Sequence, residues 1–206
     1  YLNTYDFQKC YDSVNWDIIF RVFSELGLDP KILRGLKGAY KQLIRRNKLT
    51  GNALDFYPEA LREEIAPLNE RIYTTLNNGV YRCGFATKQE AYEEAFTELF
   101  DTLDFLEERL AGQRYLCGNT QTEADWRLFT TLIRFDTVYH THFKCNIRRI
   151  ADYANLSALT RRLYELDGIA QTVNFRHIRH HYYESHERIN PNGIVPAGPD
   201  PLIPGA

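Results

Sequence analysis

The chain has 206 residues, of which 44% are apolar, 14% aromatic and 25% charged, with a formal net charge of −2. That length fits one medium domain or two small ones, and the apolar share is ample for a packed core. The composition excludes disorder, collagen-like repeats and membrane spanning, because no apolar run approaches the roughly 18 to 20 residues a bilayer needs. The near-neutral balance also argues against a nucleic-acid backbone as main partner, which leaves a clear basic excess. Four cysteines, Cys10, Cys83, Cys117 and Cys145, lie too far apart for paired zinc-ligand spacing and read as reduced thiols of a cytoplasmic protein. Methionine is absent, position 1 included, so a fragment or an incomplete gene model is expected.

Residues 1–50 hold nine Lys/Arg against five Asp/Glu, and residues 51–206 hold sixteen against twenty-two. The sign change near Thr50-Gly51-Asn52, a turn-prone stretch, marks a candidate boundary. Before it, Val14, Ile18, Ile19, Val22, Phe23 and Leu26 keep helical spacing up to Gly27, a C-terminal stop. Asp29-Pro30 then reads as an N-cap with proline at the first helical position, opening a helix through Leu36 and Leu43. Fewer than about 50 residues bury little alone, so this segment is not expected to be an independent domain.

Beyond the boundary the pattern is helical throughout, without strand-like alternation. Pro58 to Leu76 repeats Leu61, Ile65, Leu68, Ile72 and Leu76. Thr87-Lys88-Gln89-Glu90 has the form of a capping box. The helix it opens runs to about Leu110 on a stripe of Tyr92, Ala95, Phe96, Leu99, Leu103, Leu106 and Leu110, and Gly112 closes it. Thr122 and Asp125 form a second box, the carboxylate lying at the positive end of the helix dipole, and open a helix through Phe135. Short helices are expected near 150–153, 156–166 and 169–181. The Pro/Gly-rich tail, Ile189 to Ala206, cannot be regular. The expected architecture is an all-α bundle.

The Thr122–Asp125 motif arrives after a long helix and a glycine turn, and it resembles the box that opens the buried core helix of glutathione transferase C-terminal domains. The resemblance sharpens over Asn77-Asn78-Gly79-Val80-Tyr81-Arg82-Cys83-Gly84-Phe85-Ala86, over Arg134 to Asn146, over His180-His181-Tyr182-Tyr183-Glu184-Ser185-His186 and over Ile189 to Pro196. Together these segments are similar to glutathionyl-hydroquinone reductases, the xi-class, omega-like glutathione transferases, across about residues 52–199. The resemblance implies a helical domain over 52–188 that lines an aromatic substrate pocket, followed by the irregular tail at 189–206. It implies removal of glutathione from glutathionyl-hydroquinones, with a cysteine of a thioredoxin-like domain taking the glutathionyl group as a mixed disulfide and a second glutathione, the co-substrate, resolving it. By the same resemblance, Tyr81 matches the proton donor and acceptor for the quinol ring, and Tyr139 and Tyr182 match tyrosines that stabilise the catalytic thiolate. A phenol near pKa 10 stays protonated at neutral pH and can donate to a thiolate or phenolate. A quinone-type aromatic substrate and a homodimer complete the implied partners, with no membrane.

None of the four cysteines has a Cys-Pro-Trp context, so the thioredoxin-like domain and its nucleophile are expected to be missing from this chain. Such a chain should have negligible reductase activity alone. In that place, Tyr5-Asp6-Phe7-Gln8-Lys9-Cys10-Tyr11-Asp12-Ser13-Val14-Asn15-Trp16 resembles motif A of a reverse transcriptase palm, with Asp6 at a metal-binding position and the likeness continuing to about residue 49. Two-metal polymerisation needs a further carboxylate pair, and no Asp-Asp occurs in the sequence, so Asp6 and Asp12 read as solvated carboxylates. His177 and His181 share a helical face, but Ile178-Arg179-His180 between them offers no general base, and an arginine opposes a cation. No metal is expected. Besides the enzyme, two further readings stand: a non-catalytic helical binding or dimerisation module, and a retroelement fragment.

Overall fold

The computed structural model describes residues 55–203; the helices expected over 14–26 and 30–43, and Asp6 with Asp12, lie outside them. The chain divides into two compact units, Tyr1–Ile65 and Ala66–Ala206. In the described part of the first, the Tyr57 amide donates to Asp55 (2.9 Å) and a 3-10 turn at Glu59–Leu61 precedes helix α1, Arg62–Arg71, whose residues from Ala66 on belong to the second.

In the second unit the chain continues as a π-helical segment, Ile72–Asn77, then α2 (Gly79–Gly84), α3 (Gln89–Leu110), α4 (Glu123–Arg134), a second π-helical segment (Phe135–Tyr139) and the single turn α5 (His140–His142). A 3-10 turn at Ile150–Asp152, α6 (Ala154–Tyr164), another 3-10 turn at Ala170–Thr172 and α7 (Phe175–Ser185) complete it. Among the described residues there is no strand, only an isolated bridge between Tyr115 and Gly118, where Gly118 takes φ +95°. That left-handed conformation is open to glycine at little cost.

The long helix α3 supplies the central stripe. Ala95, Leu99, Leu103, Leu106 and Leu110 are buried as their spacing predicts, while Tyr92 and Phe96 at its edge are half-buried. Each fully buried leucine contributes about 1.5–3 kcal/mol relative to exposure. Polar ties fix the neighbours: Asn77 donates to Thr131 Oγ1 (2.6 Å) and to the Arg127 carbonyl (3.1 Å), and Thr75 donates to Thr102 Oγ1 (2.8 Å).

Helix α4 opens on the expected reciprocal box between Thr122 and Asp125. The buried Asp125 carboxylate accepts from the amides of Thr122 (2.7 Å) and Leu116 (2.8 Å) and from the Thr122 hydroxyl (2.9 Å). The Thr87–Glu90 box does not form. Helix α3 begins one residue later, with Lys88 as an extended N-cap and no side-chain bond, which leaves Thr87 and Glu90 one position out of register. The helix expected over 169–181 is interrupted, because Asn174 caps α7 by accepting from the His177 amide (2.9 Å). No regular element follows Ser185 among the described residues. The tail is pinned instead by Arg179, which donates to the carbonyls of Ala197 and Pro199 (both 3.2 Å).

Candidate active site

Three segments converge on one aromatic cluster. Tyr81 sits on α2, directly after the first π-helical segment. Tyr139 ends the second π-helical segment, and Tyr182 lies on α7. A π-helical turn admits an extra residue and shifts the register of everything after it, and such turns concentrate at functional sites. The amide of Cys145 returns to the Tyr139 carbonyl (3.1 Å) across Lys144, whose φ is +62°. The chain therefore bends sharply just past Phe143.

Phe143 is the floor of the cluster. Its ring stacks on Tyr139 (5.5 Å, 14°) and tilts against Tyr81 (5.3 Å, 59°). It packs on the backbone of Gly84, where a Cβ would fall 2.2 Å from the ring. Only glycine lets α2 approach that closely.

Above this floor the three phenols form one hydrogen-bonded chain. Tyr81 Oη lies 2.7 Å from Tyr182 Oη, and Tyr139 Oη lies 2.9 Å from it. All three rings are buried, Tyr139 fully and Tyr81 and Tyr182 to 6% and 4% exposure. Each hydroxyl can donate or accept. An anionic atom arriving at one end is met by an O–H polarised through its neighbours.

Two imidazoles beside the cluster are uncharged near neutral pH. His142 and His186, with Nε2 of the first 3.0 Å from Nδ1 of the second, are both lowered to about 4, chiefly by burial. Burial pushes the Cys145 thiol well above its ordinary value, and Cys83 beside it adds to the shift. Cys83, Cys117 and Cys145 are all buried thiols. A raised, buried thiol is a poor nucleophile. Among the described residues no group of three or more His, Cys, Asp or Glu could hold a metal ion, and no helix is long and apolar enough to cross a membrane.

The structure thus brings Tyr81, Tyr139 and Tyr182 together, while Thr122 and Asp125 serve the start of α4 and take no part in the hydroxyl chain. Gly84, Phe143, His142 and His186 lie within the segments that carry the resemblance, but no role in the site is read for them from the sequence. The close approach at Gly84 leaves no local mark, and the histidine pair joins residues 44 apart.

Residues 89–162 match the family model of the glutathione S-transferase C-terminal domain. With the all-helical fold, the chain carries such a domain. It is 61% identical over 151 residues to the glutathionyl-hydroquinone reductase PcpF of Sphingobium chlorophenolicum, covering 73% of this chain and 48% of that protein. The glutathione-bound structure of YqjG, a glutathione transferase homolog from Escherichia coli K-12, aligns with a TM-score of 0.72 at 56% identity, over 73% of this chain and 49% of the other. The glutathione-S-transferase Xi of Phanerochaete chrysosporium aligns at 0.71 and 54%, over 73% and 51%. The chain is a homologue of the glutathionyl-hydroquinone reductases, the xi-class glutathione transferases, and spans about half the length of the curated relatives it matches.

Proposed function

We propose that residues 52–188 are the quinol-handling domain of a glutathione-dependent reductase that removes the glutathionyl group from glutathionyl-hydroquinones. The carrying observation is the chain of three tyrosine hydroxyls at 2.7 and 2.9 Å. In this reading a thiolate attacks the sulfur of the aromatic thioether. The bond from sulfur to the ring breaks, a mixed disulfide with glutathione forms, and the ring keeps the electron pair. Tyr81 supplies the proton that the ring takes up, and a second glutathione thiolate then releases glutathione disulfide and regenerates the first thiolate. Tyr182 donates toward the attacking sulfur and Tyr139 donates to Tyr182, and together they favour the sulfur's anionic form. The attacking sulfur is none of Cys83, Cys117 and Cys145, since all three are buried.

The test is calorimetric binding and turnover with an S-glutathionyl-hydroquinone and glutathione. The 206-residue chain binds the quinol conjugate, Tyr81→Phe weakens that binding several-fold, and turnover stays at background. Binding unaffected by Tyr81→Phe refutes the pocket. Turnover abolished by Cys83→Ser or Cys145→Ser refutes the exclusion of these thiols.

A further inference from the structure

We propose that His142 and His186 form a neutral, hydrogen-bonded pair that positions Tyr182, and through it the three-hydroxyl chain; the inference rests on the reading of those hydroxyls given above. The two rings come from different elements, His142 from α5 and His186 from the residue just past α7. They meet at 3.0 Å and are 5% and 6% exposed.

The bond between Nε2 of His142 and Nδ1 of His186 needs one N–H and one lone pair, so at least one of the two rings is neutral while it stands. The pair thereby ties α5 to the residue just past α7, the helix whose Tyr182 hydroxyl joins Tyr81 to Tyr139.

Ring contacts reinforce the link. His186 stands edge-on to Tyr182 (5.5 Å, 88°) and to Phe85 (5.1 Å, 72°), and lies parallel to Phe143 (5.7 Å, 15°). His142 stacks on the same Phe143 (5.2 Å, 27°) and tilts against Tyr183 (4.5 Å, 59°). The charges acting on the pair are basic, Lys144 on His142 and His181 on His186, and with burial they oppose protonation. A proton on each ring would set N–H against N–H at 3.0 Å and undo the tie, whereas a single added proton still leaves one donor facing one acceptor.

Two histidines that merely filled space would be replaceable by apolar side chains without moving a phenol. The test uses the 206-residue chain with isotope-labelled tyrosine and histidine, followed by side-chain NMR, the Tyr182 resonances being assigned by their loss in Tyr182→Phe. In the wild type, acidification moves the Tyr182 ring resonances together with the second of the two histidine protonations, the one that removes the last acceptor from the bond, while far-UV circular dichroism is unchanged. At neutral pH, His186→Leu displaces the Tyr182 resonances, and His186→Asn, whose amide can still donate to His142, returns them to wild-type positions. Tyr182 resonances that stay in place in His186→Leu, or fail to return in His186→Asn, overturn the proposal. Should His186→Leu not fold, the wild-type titration decides, and a Tyr182 midpoint that coincides with neither histidine step counts against the pair. No readout here involves turnover or quinol binding, so this inference and the reading beneath it fail separately.

Discussion

Asp125→Ala removes the acceptor on which the start of α4 depends. The carboxylate is 0% exposed and takes bonds from two backbone amides and one hydroxyl, at 2.7–2.9 Å. Leu116 and Thr122, which supply those amides, are themselves fully buried, so water does not replace the lost partner. Each stranded buried donor costs about 1–3 kcal/mol. Relief of the desolvation that raises the Asp125 pKa offsets part of this, leaving a net loss of about 4 kcal/mol, typical of a broken buried network. For a domain of this size that lowers Tm by about 8–16 °C. Thermal and urea unfolding followed by circular dichroism at 222 nm measure it. Asp125→Asn, which keeps one acceptor oxygen, falls between the alanine variant and wild type. Glu123→Gln, which loses only a solvent-exposed ion pair with Arg127, stays within about 0.5 kcal/mol of wild type. An Asp125→Ala chain that unfolds within about 1 kcal/mol of wild type would show that the network does not hold the helix start.

Gly84→Ala forces a Cβ to within 2.2 Å of the Phe143 ring. Overpacking of this kind costs about 1–3 kcal/mol, and the loss appears together with a reduced near-UV aromatic signal; an unchanged near-UV spectrum contradicts the packing. Acidification destabilises the chain through the histidine pair. The folded values of about 4 lie below the 6.5 of a free imidazole, so the unfolded chain takes up protons first, and the stability present above pH 6.5 is lost as pH falls toward 4. Between pH 6.5 and 5.5 the two rings together account for about 2 kcal/mol, and His186→Asn removes about half of that slope in urea titrations. Asp125 and Asp136, raised by burial, act in the opposite direction as they protonate, which is why the window stops at 5.5. Peptide mapping after brief alkylation at pH 7.5 finds Cys83, Cys117 and Cys145 unmodified in the native chain and modified after unfolding, as their burial requires; rapid native labelling of Cys145 contradicts its raised pKa.

Among the described residues, the main helices and the stripe of α3 were legible because periodicity is local and repeated. The Thr122–Asp125 box was legible for the same reason: its three-residue spacing carries its geometry. Two other caps were not, since they are supplied from a distance. Glu107 on α3 accepts from the amides of Asn155 and Leu156 (both 2.8 Å) and so caps α6, while Asp136 accepts from those of Ile150 and Ala151. The π-helical turns were also invisible. Residues 72–77 and 135–139 keep apolar spacing close enough to 3.6 that one inserted residue leaves no trace in the pattern. These turns precede Tyr81 and carry Tyr139, so composition and spacing alone could not have assembled the tyrosine cluster; the family resemblance named its members. His142 and His186 escaped because they lie far apart in the chain and match no ligand spacing.

The most direct measurement is a crystal structure of the 206-residue chain with a hydroquinone soaked in. The account predicts the quinol ring against the Tyr81 and Tyr182 edge of the cluster, with a ring oxygen within hydrogen-bonding distance of Tyr81 Oη. A quinol bound elsewhere, or phenol hydroxyls of Tyr81, Tyr139 and Tyr182 found out of mutual contact, would contradict it.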